Sequence, residues 1–140
     1  MRTTIQKSLR MPTEIAKAIE ELSEVSGQEF SAVTVELLTE ATKMRRCPAI
    51  VFADGPSGRR ARLAATGLDV WEVIATYRSV DGDPARLRQV YPWLSETQLR
   101  AALGYCAAYP EEIDRRIALN ARWSEERLRT QHPSLAVDRP

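Results

Sequence analysis

The sequence predicts a mainly α-helical fold that opens on one isolated β-strand and is interrupted once by a short β-hairpin. Three observations predict it. Apolar residues recur at helical spacing through most of the chain. Two-residue alternation is confined to residues 3–12 and to the stretch around 50–64. Capping and turn residues fall between the periodic segments, where helices of ordinary length would start and stop.

The elements follow in order. "TTIQKSLRMP", residues 3–12, places Ile5, Leu9 and Met11 on one side and Gln6, Ser8 and Arg10 on the other, and Pro12 ends the strand. "PTEIAKAIEELSEVSG" repeats Ile15, Ala16, Ile19, Leu22 and Val25 at helical spacing, with Pro12 and Thr13 as its start and Gly27 as its stop. "FSAVTVELLTEATKMRR" puts Val33, Leu37, Leu38 and Ala41 on one face, with Ser31 expected as N-cap. Lys43, Arg45 and Arg46 fall in its last turn and complement the helix dipole. Cys47–Pro48 reads as a seam between modules.

Beyond the seam, Ile50, Val51 and Phe52 precede the turn formers "DGPSG" and an alternating "RRARLA". That pattern predicts a hairpin or arm with Asp54 to Gly58 as its loop. From Asp69 onward the reading is helical. "DVWEVIATYRSV" carries a wide apolar face of Val70, Trp71, Val73, Ile74 and Tyr77, and "DGDP" breaks it. Asp83 suits an N-cap, with Pro84 at the first helical position of a short helix ending "YP". Ser95, with Gln98 three residues on, forms a capping-box pattern at the head of "LSETQLRAALGYCAAYP". "PEEIDRRIALNARWSEERLRTQHP" predicts a long amphipathic helix on Ile113, Ile117, Ala121 and Leu128. The resulting organisation is a first module over 1–47, a second over 48–117, and the helix end and tail over 118–140. After Pro133 the tail is too short and polar to fold alone.

Composition narrows the function classes. A hydrophobic share of 44% against 28% charged residues supports a packed core. The net charge of +1 hides local clumps at Lys43, Arg45 and Arg46 and at Arg59, Arg60 and Arg62. Two cysteines, Cys47 and Cys106, and the single histidine His132 exclude a metal site of the usual Cys/His spacing. The thiols are expected to be free in a reducing cytosol. The N-terminus is polar from its second residue, and no apolar run is long enough to span a membrane. A cytoplasmic protein without a membrane partner is the expectation.

No catalytic constellation emerges. Asp81 and Asp83 belong to a turn-and-cap signature, and Glu111 and Glu112 to the first turn of a helix. "GPSGRR" lacks the strand–loop–helix setting of a phosphate loop. The chain is therefore expected to be a non-enzyme with no cofactor and no metal.

The opening strand points to a partner. Nothing in the forty residues after it supplies another strand, and a lone strand leaves its backbone groups unpaired along both edges. Pairing with the same strand of a second chain solves this, since two-fold symmetry makes the contact isologous and antiparallel. Gln6, Ser8 and Arg10 of both chains would then face outward as a ribbon of the size that enters the DNA major groove.

At this point "TIQKSLRMPTEIAKAIEELSEVSGQEFSAVTVELLTEA" resembles the ribbon-helix-helix family of DNA-binding proteins, which includes repressors and many bacterial antitoxins. The resemblance rests on the strand, Met11–Pro12, Ile15, Ile19, Gly27 and Ser31, and covers residues 2 to about 46. It implies that Gln6, Ser8 and Arg10 read base edges. Arginine suits guanine, glutamine suits adenine, and serine adapts to either. It also implies that Phe30, Ser31 and Ala32 meet a phosphate with free backbone amides. Lys7 departs from the pattern, because it falls between the inward Ile5 and Leu9, where the family has an apolar residue. Either its stem is buried with the amine in solvent, or the register is shifted by one.

A second resemblance covers residues 48–117, which look like domain-of-unknown-function family 433, a small antitoxin-type helix-turn-helix domain. The glycine-containing hairpin, the helix from Val70 to Ile74, Tyr91–Pro92 and the helix from Leu94 to Tyr105 carry it. A second DNA surface would then comprise Arg59, Arg60 and Arg62 as a wing and Ser95, Thr97, Gln98 and Arg100 at the head of the second helix. Together the two resemblances imply a homodimeric antitoxin of a type II toxin–antitoxin system. It would bind double-stranded operator DNA, repress its own operon and neutralise a protein toxin, with a PIN-like ribonuclease as the expected kind. A dimerisation module without DNA binding, or a stand-alone transcriptional regulator, remains the alternative.

Overall fold

A computed structural model describes residues 3–55 and 58–131, and among these it has six helices and one two-stranded antiparallel sheet. The protein is mainly helical, as the periodicity predicts. It divides into two compact units, Met1–Thr42 and Lys43–Pro140. The division falls inside the second helix, α2, and not at Cys47–Pro48.

Unit 1 holds α1 (Thr13–Ser26) and the larger part of α2 (Phe30–Arg46). Pro12 precedes α1 with φ −57°, and Gly27 ends it in the left-handed region at φ 71°, donating its N–H to the Ser23 carbonyl at 2.9 Å. The Ser23 hydroxyl donates to the Gln28 carbonyl, and the Gln28 N–H donates to Ser26 Oγ at 3.3 Å. The connection to α2 is thus fastened by side chains of α1. Ser31 is not the N-cap of α2. The helix already includes Phe30, and its first bond runs from the Val33 N–H to the Glu29 carbonyl at 3.0 Å. Backbone pairing moved this start two residues ahead of the side-chain signal, from Ala32 to Phe30.

Residues 3–12 belong to no helix or strand. A strand exists only through a ladder partner, and among the described residues none pairs with this segment. Of the apolar residues of unit 1, Ile19 and Val33 are buried, whereas Ile15, Leu22 and Leu38 are 52%, 48% and 56% exposed.

Unit 2 is built on α3. β1 (Ile50–Gly55) and β2 (Gly58–Leu63) pair in register Ile50↔Leu63 and Phe52↔Ala61. Asp54 and Gly58, expected in the loop, are strand residues, and residues 56–57 lie outside the described ones. Alternation turns Ala61 and Leu63 inward and leaves Arg60 and Arg62 on the other face. Then follow α3 (Val70–Ser79), α4 (Pro84–Val90), α5 (Glu96–Ala108) and α6 (Pro110–Gln131).

α3 packs against α4, α5, α6 and β2, which places Val70, Val73 and Ile74 at the centre of the core with Leu63, Tyr105 and Ile113. Asp83 caps α4 by accepting from the Ala85 N–H at 2.9 Å. Ser95 and Gln98 form the expected reciprocal capping box, at 3.1 and 2.9 Å. α6 joins the core through Ile113 and Ile117. The Leu128 side chain, His132 and the tail after Pro133 lie outside the described residues. No described helix is long and apolar enough to cross a membrane.

Candidate nucleic-acid interface

Gln6, Ser8 and Arg10 are all exposed. So are the residues interleaved with them, Ile5 at 80%, Lys7, and Leu9 at 66%. In the single chain neither side of this segment is covered. Two large aliphatic side chains on a polar stretch are costly to leave in water, about 1.5–3 kcal/mol each relative to burial.

Phe30, Ser31 and Ala32 form the first turn of α2, and all three are exposed. Their N–H groups precede the first intrahelical donor, so they point outward as free donors at the positive end of the helix dipole. No acidic side chain occupies this turn. Glu29, immediately before the turn, is the nearest acidic residue in sequence.

The candidate second surface is arranged differently. Arg60 and Arg62 converge on Asp69, whose side chain is 3% exposed. Arg60 Nε lies 2.5 Å from one carboxylate oxygen, and Arg62 Nε donates to the other at 3.1 Å. Trp71 Nε1 donates to the same carboxylate at 3.1 Å. Asp69 precedes α3 yet makes no side-chain cap, because these partners occupy its oxygens. Arg59 pairs with Asp54 at 3.3 Å.

At α5, Ser95 and Gln98 are bonded to each other's backbone in the capping box. Arg100 pairs with Glu96 at 2.7 Å, while Thr97 is exposed. α4 packs on α3, and among the described residues its backbone makes no close approach to α5. The turn "YPWL" thus joins two helices that share α3 as a neighbour.

Two constellations escaped the sequence reading. At the end of α2, Lys43 Nζ lies 3.1 Å from Glu112 and 4.7 Å from the centre of the Tyr109 ring. Glu112 also accepts from the Tyr105 hydroxyl at 2.6 Å. Burial, reinforced by that bond to Glu112, holds the Tyr105 phenol well above its usual pKa. Helical spacing marks these residues only as core or surface, since they are far apart in sequence.

The second is an open groove of about 880 Å³ beside α6, lined by Trp71, Glu72, Leu119, Trp123 and Arg127. Trp123 is 61% exposed. Burial and the neighbouring Asp69 carboxylate raise the Glu72 pKa, against the opposing pull of Arg60 and Arg62. Among the described residues no cluster of histidine, cysteine, aspartate or glutamate could hold a metal, and both cysteines are free thiols.

No family model matches the chain, and no curated protein or solved structure matches it.

Proposed function

We propose that the protein is a homodimeric DNA-binding antitoxin. Its two N-terminal segments pair as an antiparallel ribbon, and Gln6, Ser8 and Arg10 of each chain read the major groove of an operator. The observation that carries this is the exposure of Ile5, Leu9, Ile15, Leu22 and Leu38 around a unit with two buried aliphatic side chains. A segment of this size rarely folds alone without a second chain or another staple. A symmetric partner covers the apolar side of the segment and leaves its polar side outward. The free amides of Phe30, Ser31 and Ala32 would take a backbone phosphate on either side of the ribbon.

Unit 2, whose sequence resembles a helix-turn-helix domain, is assigned to the protein partner, a toxin of PIN-like ribonuclease type. The internal pairing of Arg59, Arg60 and Arg62 favours a protein partner over DNA on this unit. The outer turns of α6, where Trp123 is exposed, supply the surface, since a helix face laid into a groove is a common mode of protein recognition.

Titration of the protein with its own upstream DNA across a series of salt concentrations tests the reading. Specific binding should exceed binding to scrambled DNA and fall steeply with salt. Arg10→Ala should cost about 1–3 kcal/mol and relax base preference at one position in each half-site. Unchanged affinity and preference in Arg10→Ala would remove the ribbon as the reader. A dimer that binds no DNA would leave the strand as a dimerisation device only.

A further inference from the structure

We draw no further inference here: the strongest candidate, the open groove beside the outer turns of α6 lined by Trp71, Leu119 and Trp123, is an unpartnered apolar face, and nothing in the structure shows what covers it.

Discussion

The two units solve the problem of stability in opposite ways. Unit 2 closes its own core: Leu63, Val70, Val73, Leu87 and Tyr105 are fully buried, and the deeply buried carboxylate of Asp69 has two arginines and a tryptophan on it. Unit 1 buries Ile19 and Val33 and leaves its other large apolar side chains largely in solvent. Similar hydrophobic periodicity therefore has two outcomes. In unit 2 the central apolar residues find intrachain neighbours, because α3 is surrounded. In unit 1 two helices and a bare segment cannot surround anything. Helical periodicity says that a face is destined for burial, and not whether the covering surface lies in the same chain.

The comparison can be broken most forcefully in unit 2. Asp69→Ala leaves Arg60 and Arg62 facing each other in a largely buried site without their counter-charge. Loss of one partner of a buried pair costs about 3–5 kcal/mol. Chemical denaturation should show the transition of unit 2 collapsing, and a near-neutral result would mean that the arginines swing out to solvent at little cost.

Dilution probes the other side of the contrast. If a second copy completes unit 1, each tenfold dilution should lower its stability by about 1.4 kcal/mol. The transition of unit 2 should not move. Circular dichroism melts over a wide concentration range, with sedimentation at the same concentrations, measure this. A unit 1 transition independent of concentration would contradict the dimer.

A smaller effect is expected at α5. Ser95→Ala removes the hydroxyl that accepts the Gln98 N–H and should cost about 1 kcal/mol in the unfolding of unit 2. Ser31→Ala in α2 should cost less, because Ser31 lies inside the helix and caps nothing. Equal losses at the two sites would return Ser31 to the capping role that its sequence suggests.

The smallest effect concerns pH. The Glu72 carboxyl has a folded-state pKa above its ordinary value. The folded state thus holds this proton more tightly than the unfolded chain does. That favours folding in acid, and the advantage is lost as pH rises through the raised value. Glu72→Gln should therefore gain stability relative to the parent as pH rises from the ordinary glutamate range through the raised value, with the difference flat below that range. The favourable placement of an acid in the first turn of α3 opposes part of this gain. The slope of the difference, measured by melting at several pH values, is the quantity to read. A flat difference would show that solvent and the two arginines already neutralise the burial.

What the sequence reveals tracks how local the cause is. Helix ends set by side chains a few residues apart were legible: Gly27, Asp83 with Pro84, and the Ser95–Gln98 box all lie where their spacing placed them. The start of α2 was not, because a backbone bond to Glu29 fixes it and backbone bonds carry no residue signature.

The candidate site divides the same way. Alternation set Gln6, Ser8 and Arg10 apart from Ile5 and Leu9, and in the folded chain they are exposed with nothing yet to pair the segment. Alternation also put Arg60 and Arg62 on one face of the hairpin. It could not say that Asp69 waits opposite them, since that depends on how the chain turns between β2 and α3. Likewise "YP" and the Ser95–Gln98 box marked two successive helices, but that α4 packs on α3 was invisible in the spacing.

Asp69 has a further consequence for cooperativity. Its backbone bridges Arg62 of the hairpin, and its carbonyl accepts the first bonds of α3 from the Glu72 and Val73 N–H groups. Its carboxylate meanwhile holds both hairpin arginines. One residue thus belongs to the last strand and the central helix at once. Fraying of β2 would carry both arginines into solvent and leave the buried Asp69 carboxylate at the head of α3 without its counter-charges. The hairpin and α3 therefore open and close as one element, a single cooperative block in the hierarchy of local unfolding.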